Sequence, residues 1–193
     1  MVLPFLAGYF LSYVYRAVNA VLAPSLVGEF GISAEQLGFL TGVYFFSFGL
    51  FQIPLGVLLD RFGPRRVNAS LLLLAAAGAL AFSKAGGFEH LVFARALIGL
   101  GVSACLMATI QAFILWFPPE RMSTMIALAY SMGGLGAIAA SAPLELALRA
   151  FSWRGIFEFL AACTILLSAV FALLVPEHAG SRAPAGVRAQ LAG

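Results

Sequence analysis

The chain has 193 residues, of which 62% are hydrophobic and only 10% are charged, and its formal net charge is +3. This composition excludes a water-soluble domain, because too few polar residues remain to cover its surface. The basic residues are scattered rather than clustered among exposed aromatic residues, so the lipid bilayer is the predicted environment and no nucleic acid is predicted as a partner.

Six apolar runs, each long enough to cross a bilayer as a helix, are predicted within residues 1–175. They cover residues 3–27, 33 up to a charged loop at 56–66, 67–83, 91–117, 123–148 and 155–175. The second run begins at Ser33, because Ser33 followed by Gln36 forms a capping box. The run at 3–27 lacks a preceding basic stretch and is followed by further runs, so it is not expected to be a cleaved signal peptide. Residues 176–193 are expected to be a disordered cytoplasmic tail.

Arg16 lies near the middle of the first run, with Tyr13 and Asn19 one turn to either side. An arginine at this depth costs about 2.5–3.5 kcal/mol on insertion scales, so something must offset its charge. A guanidinium group suits a carboxylate or phosphate, because its donor fork matches two oxygens at once. Arg16 is therefore interpreted either as an anion-binding residue or as a structural arginine held by carbonyls and waters.

The second run combines small and polar residues. Gly38 and Gly42 are predicted to form a face for tight helix packing, and Pro54 is predicted to kink the run. Tyr44 in this run and Gln111 in the fourth run are candidates to line a polar cavity. The alternative for both, and for the polar residue Gln52, is a hydrogen bond between helices.

The charged loop contains two glycines, one acid and three arginines, namely Gly56, Asp60, Arg61, Gly63, Arg65 and Arg66. The arginines predict a cytoplasmic position, and the glycines permit close helix approach and a sharp chain reversal. Asp60 is expected to pair with a neighbouring arginine in the isolated chain, or to latch onto another protein in an assembly.

The last three runs contain further charges and glycines. Arg95 is interpreted as a second anion contact or part of a coupling relay, or else as a structural link between helices. The glycines and proline of the fifth run predict a thin, bent span. Two pairs four residues apart are expected to bond along their helices: Glu145 with Arg149, and Arg154 with Glu158. Cys105 and Cys163 are interpreted as buried thiols, and no metal, cofactor or enzymatic activity is predicted.

The charged loop reads Gly56-Val57-Leu58-Leu59-Asp60-Arg61-Phe62-Gly63-Pro64-Arg65-Arg66. It resembles the loop between helices 2 and 3 of the major facilitator superfamily, whose pattern is roughly G-x-L-x-D-[RK]-x-G-[RK]-[RK], and Pro64 departs from that pattern. In that family the loop latches two halves of a transporter in one state. The resemblance implies an all-α membrane protein with six transmembrane helices, forming one half of the family fold as a 3+3 inverted repeat.

Two further stretches carry the resemblance. Tyr13-x-x-Arg16-x-x-Asn19, followed by Ala23-Pro24, resembles helix 1 of the organic-anion branches, and Arg95-x-x-x-Gly99-x-Gly101 resembles the helix 4 motif of the superfamily. In those branches the arginine of helix 1 contacts the anionic substrate. The residues assigned to substrate binding are Tyr13, Arg16, Asn19, Tyr44, Arg95 and Gln111. Many symporters of these branches carry acids where this chain has Tyr15 and Val102, so proton symport by that route is not expected.

The resemblance implies a secondary active transporter of a small organic anion, a carboxylate or phosphate ester, working by alternating access as a symporter or antiporter. More arginines fall on the predicted inner loops and tail than on the outer turns, which predicts two cytoplasmic termini in a bacterial inner membrane. Because only one half of the family fold is covered, the expected partner is a second six-helix half or a second copy of the chain. The alternative is a non-transporting membrane fragment or a partner-binding subunit.

Overall fold

The computed structural model describes residues 2–176, and these residues form helices joined by short connections. The helices are α1 (Val2–Phe30), α2 (Ala34–Ser83), α3 (Phe88–Val102), α4 (Cys105–Trp116), a 3₁₀ turn (Pro119–Arg121), α5 (Met122–Ala139), α6 (Ala142–Ala150) and α7 (Trp153–Leu174). Apart from its first residue, the predicted tail at 176–193 lies outside the described part of the chain.

Within residues 2–176, five helical stretches are long and apolar enough to cross a membrane. They are Val2–Phe30, Ala34–Ser83, Phe88–Trp116, Pro119–Ala150 and Trp153–Leu174. The predicted fourth run is interrupted between α3 and α4, and the predicted fifth run between α5 and α6, where a bend was expected. The helix α2 covers both the second and the third predicted runs.

The 50-residue helix α2 reverses direction at Gly63. Gly63 has φ 77° and ψ 162°, a conformation that residues with a Cβ rarely adopt, and it is the residue of α2 with non-helical backbone angles. The Arg95 Cζ lies 5.9 Å from the ring centroid of Tyr44 and 5.3 Å from that of Phe82. In a straight helix these two rings would be about 57 Å apart. The chain therefore folds back into a first segment (residues 34–62) and a second segment (residues 64–83).

The predicted charged loop is helical except at this break, since residues 56–62 continue the first segment of α2. Pro64 follows Gly63 directly and occupies the start of the second segment, where its missing N–H leaves no helical hydrogen bond unmade. Helical backbone angles continue through Pro54. The start of α2 agrees with the sequence, because Gln36 N donates to Ser33 Oγ at 3.2 Å and Ser33 N donates to Gln36 Oε1 at 2.9 Å.

Close helix packing depends on glycines in α3 and α5. A Cβ on Gly101 of α3 would lie 2.5 Å from Cα of Ala75 in α2, and a Cβ on Gly133 of α5 would lie 2.8 Å from the Tyr9 ring in α1. The prediction for Gly38 and Gly42 is wrong within this chain, because a Cβ on either would meet nothing within 4 Å. The same holds for the predicted close approach at Gly56. All three glycines are exposed.

The predicted pair of Arg154 with Glu158 is also wrong. Arg154 instead pairs with Glu29 at 2.6 Å, and its Nη2 donates to the carbonyl oxygen of Ala85 at 3.0 Å. The Trp153 Nε1 donates to the same Glu29 carboxylate at 2.8 Å. These contacts join the end of α1, the end of α2 and the start of α7. The tertiary neighbours of Arg154 therefore outweigh the partner one helical turn away.

The other predicted pair along a helix is confirmed. Arg149 Nη2 lies 3.6 Å from Glu145 Oε1 on α6, and both side chains are largely exposed. Both residues lie on the same short helix, one turn apart. Such an exposed pair contributes little to stability, about 0–1 kcal/mol.

Candidate functional site

Arg16 lies half-buried on α1, surrounded by aromatic rings. Its Cζ lies 4.6 Å from the ring centroid of Tyr13, 5.3 Å from that of Phe48 and 5.6 Å from that of Phe45. Within residues 2–176, Arg16 forms no ion pair with a carboxylate, and its buried Nε has no hydrogen-bond partner. Cation–π contacts contribute about 0.5–2 kcal/mol each, so the rings offset part of the charge of Arg16.

Asn19 lies one turn further along α1 and connects it to the first segment of α2. Its Nδ2 donates to Thr41 Oγ1 at 2.9 Å, and Thr41 in turn donates to the Leu37 carbonyl at 3.1 Å. The Asn19 Oδ1 is buried and has no hydrogen-bond donor among the described residues. Asn19 therefore links two helices beside Arg16 and keeps one free acceptor.

A cluster of three tyrosines continues the surface around Arg16 toward α5. Tyr9 donates to the Tyr13 hydroxyl at 3.3 Å, and the two rings meet edge to face with centroids 5.1 Å apart. The ring of Tyr130, an exposed residue of α5, lies 6.1 Å from that of Tyr9. Helices α1 and α2 thus surround the guanidinium of Arg16 with aromatic rings, and the tyrosine cluster continues from Tyr13 to α5.

Arg95 lies in the interior, apart from the surface onto which Arg16 opens. It is 1% exposed, and its Nη1 donates to the Tyr15 carbonyl oxygen at 2.9 Å. Its Nε and Nη2 have no partner among the described residues. Tyr44, which was also assigned to the substrate site, is 1% exposed and donates to the Ser12 carbonyl oxygen at 3.4 Å. In this structure both residues link helices.

Gln111 contacts the charged loop and not the residues around Arg16. Its Nε2 donates to Asp60 Oδ1 at 3.2 Å, and both residues line a groove of about 380 Å³ between α2 and α4. The expected local pair between Asp60 and an arginine is therefore replaced by a contact with another helix. Gln52 lines the same groove and donates to the Ser103 carbonyl at 3.1 Å, where the backbone breaks between α3 and α4.

The arginines of the charged loop have separate surroundings. Arg65 donates from Nη2 to the carbonyl oxygen of Ala172 near the end of α7. Arg61 is exposed, with its Cζ 5.3 Å from the ring centroid of Phe62. A cation near the last carbonyls of a helix is favourable, so Arg65 ties the start of the second segment of α2 to the end of α7.

Sequence reasoning missed three residues that surround Arg16 and Asn19, namely Thr41, Phe45 and Phe48. Their spacing of four and three residues places them on one face of α2. That spacing was a usable signal, because a polar residue and two aromatic rings on one stripe suit a neighbouring helix that carries an amide and a guanidinium. The sequence does not say which helix lies opposite.

The fold and the site together define the class of protein to which the chain belongs. Apolar helices of membrane length, a half-buried arginine within one of them and a glycine-containing charged loop are features of an integral membrane protein. The sequence matches the Major Facilitator Superfamily over residues 5–192, and the chain belongs to that family.

Three relatives within the family are named as transporters of anions. The chain is 26% identical over 169 residues to a probable sulfoacetate transporter of Cupriavidus necator, covering 88% of this chain and 39% of the relative. It is 26% identical over 174 residues to a hexuronate transporter of Bacillus subtilis, covering 90% and 41%. It is 32% identical over 136 residues to a nitrate/nitrite transporter of Picosynechococcus, covering 66% and 24%. The chain thus spans less than half the length of these relatives.

Two solved structures share the fold. A bacterial homologue of the human lysosomal transporter Spinster, in an inward-facing and occupied conformation, has a TM-score of 0.78 at 21% identity, covering 91% of this chain and 44% of that protein. The xylose transporter XylE of Escherichia coli, in an inward-open conformation, has a TM-score of 0.77 at 18% identity, covering 91% and 48%. At these identities the likeness shows the fold alone.

Proposed function

We propose that the chain is the N-terminal half of a secondary active transporter that carries a small organic anion, a carboxylate or phosphate ester, by alternating access. The observation that carries the proposal is Arg16, a half-buried guanidinium in an apolar helix whose charge meets aromatic rings rather than a carboxylate. A charge placed in this way suits an anion that arrives and leaves, because no fixed acid competes for it.

The relatives support an anionic substrate. Sulfoacetate, hexuronate and nitrate differ in size and shape, but each carries negative charge. A guanidinium group can bind the oxygens of all three through two parallel hydrogen bonds. Tyr13 and Asn19 are proposed to contact the uncharged part of such an anion, since both lie one turn from Arg16.

A partner surface completes the proposed site. Alone, the chain would expose Arg16 and its polar neighbours to lipid, which is costly. A second six-helix half, or a second copy of the chain, would cover this face and enclose the anion.

The reversal at Gly63 divides α2 into two segments and so supports six spans. We propose that these spans form a 3+3 inverted repeat with both termini cytoplasmic in a bacterial inner membrane, because more arginines fall on the predicted inner loops than on the outer turns. In a variant with Cys105 and Cys163 replaced by alanine, a single cysteine in the turn at 84–89 is expected to react with an impermeant maleimide in intact cells. A cysteine within residues 61–66 is expected to react only after the membrane is opened. Labelling in the reverse pattern contradicts the proposed orientation.

Matched ligands test the substrate class. D-Glucuronate and D-glucose differ by one carboxylate, so the purified protein is expected to bind glucuronate and not glucose in titration calorimetry. Sulfoacetate and glycerol 3-phosphate test a sulfonate and a phosphate ester in the same assay. Binding of glucose as tightly as glucuronate, or of none of the three anions, contradicts the proposal that Arg16 forms an anion site.

A further inference from the structure

We propose that Arg95 is a positioning residue for Arg16: it fixes the backbone of α1 at the peptide that leads into Arg16, and it does not contact the anion. This inference rests on the proposed function, in which Arg16 binds the anion. It differs from the interpretation of Arg95 as a second anion contact, because the structure gives the guanidinium of Arg95 an interior partner.

The contact that carries the inference is the hydrogen bond from Arg95 Nη1 to the carbonyl oxygen of Tyr15, 2.9 Å long. That carbonyl belongs to the same planar peptide unit as the backbone nitrogen of Arg16. Within α1 the same oxygen is also the expected acceptor of the N–H of residue 19, as helix geometry requires. A second, charged donor on this oxygen therefore fixes α1 at Arg16 in two respects: its position along the helix axis and its rotation about that axis.

The guanidinium of Arg95 is itself held firmly. Its Cζ lies 5.9 Å from the ring centroid of Tyr44 and 5.3 Å from that of Phe82, which belong to the two segments of α2. It is 1% exposed, and a Cβ on Gly99, one turn further along α3, would collide with the backbone of Tyr44. Arg95 is thus held by the packed helices α2 and α3, and its hydrogen bond fixes α1 relative to them.

The two neighbouring side chains of α1 point to different surroundings. The Tyr15 hydroxyl lies 2.9 Å from Thr164 Oγ1 on α7, in the buried interior. The Arg16 side chain meets Tyr13, Phe45 and Phe48 and is half-buried. The Tyr15 side chain therefore points into the interior, while Arg16 faces the surface where an anion would bind.

Burying the charged side chain of Arg95 lowers the stability of the fold. Within the described residues, Nε and Nη2 have no acceptor, and an apolar side chain of similar volume would fill the same space without unpaired donors. A charged group in such a place often serves a purpose other than stability. The purpose that the contacts support is to fix the Tyr15 carbonyl.

Three variants test the proposal by calorimetric binding of D-glucuronate, or of sulfoacetate if the wild type binds that anion instead. Arg95→Met keeps the volume but removes the donor, and it is expected to weaken binding about tenfold or more. Arg95→Lys keeps a donor that reaches the Tyr15 carbonyl and is expected to retain most of the affinity. Adding Arg95→Met to Arg16→Ala is expected to cause no further loss, because Arg95 acts through Arg16.

Other results would overturn the positioning role of Arg95. Unchanged affinity in Arg95→Met refutes the positioning role while leaving the proposed function intact. A loss in Arg95→Lys as large as that in Arg95→Met, or a further loss in the double variant, also refutes it. A wild-type protein that binds no anion contradicts the proposed function itself, and the positioning role falls with it.

Tyr15→Phe is the matched control, because it removes the hydroxyl contact with Thr164 but keeps the carbonyl that Arg95 holds. It is expected to bind the anion as the wild type does. A loss in Tyr15→Phe equal to that in Arg95→Met counts against the carbonyl as the relevant contact. If Arg95→Met does not purify as a folded protein, Arg95→Lys decides alone: retained affinity supports the proposal, and a loss like that of Arg16→Lys refutes it.

Discussion

Replacing Arg16 with lysine is expected to weaken the binding of D-glucuronate by about ten- to a hundredfold, the equivalent of one charge-assisted hydrogen bond. Lysine keeps the positive charge but loses the planar fork that meets two carboxylate oxygens at once. Arg16→Ala removes the charge as well and is expected to weaken binding further than Arg16→Lys does. Titration calorimetry on the purified variants measures both effects, and uptake into proteoliposomes measures the consequence for transport.

Arg149 supplies the matched control for this substitution. It is also an arginine, but its side chain is 72% exposed and pairs with Glu145 on α6. Arg149→Lys and Arg149→Ala are expected to leave anion affinity unchanged. If the two Arg16 variants bind the anion as well as the wild type does, Arg16 is a structural residue and the proposed site is wrong.

Adding one methyl group at Gly101 is expected to destabilise the bundle by about 1–3 kcal/mol, in the range of overpacked cores. The new Cβ of Gly101→Ala would lie 2.5 Å from both Cα and Cβ of Ala75. Because the atoms it meets include backbone, the clash cannot be relieved by rotating a side chain, and α3 must move away from α2. The thermal midpoint of the detergent-solubilised protein, followed by intrinsic fluorescence, should fall accordingly.

Gly42→Ala is the control, since a Cβ there meets nothing within 4 Å. Alanine is also the better helix former, by up to about 1 kcal/mol, so this variant is expected to be as stable as the wild type or slightly more stable. An equal drop in the midpoint for both variants would show that glycine is needed for a reason other than the α3–α2 contact.

Local features of the fold could be predicted from the sequence. The capping box at Ser33 and the reversal at Gly63 depend on residues close together in the chain, and the structure confirms both. The position of Arg16 within an apolar run is equally local, and the structure places it in a half-buried setting that fits the expectation. Propensity and capping act over a few residues, which is why a single sequence carries this information.

Contacts between helices could not be predicted in the same way. Arg154 has Glu158 one turn away, yet Glu29 lies closer because α1 and α7 meet at their ends. Gln111 was grouped with Arg16 because both are polar residues on spans, but its partner is Asp60. The periodicity of a helix shows which residues share a face, whereas the helix opposite that face depends on the packing of the whole bundle.

Glycines illustrate the same limit. Gly42 and Gly101 are indistinguishable in type and both lie in apolar runs, but only Gly101 packs against backbone in this chain. A small residue permits close approach without specifying a neighbour. The sequence could therefore identify the surfaces suited to packing, while the structure was needed to show which of them are occupied.

The aromatic rings around Arg16 also bear on how the protein enters the membrane during synthesis. The helix α1 has a mean hydropathy of 1.3 over its most apolar 18 residues, the lowest of the five membrane-length stretches in residues 2–176, whereas Trp153–Leu174 reaches 2.3. Phe45 and Phe48, which shield its arginine, are translated later, on α2. We therefore expect α1 to become more stable in the membrane once the first segment of α2 has been translated, because Arg16 then gains the two further aromatic contacts.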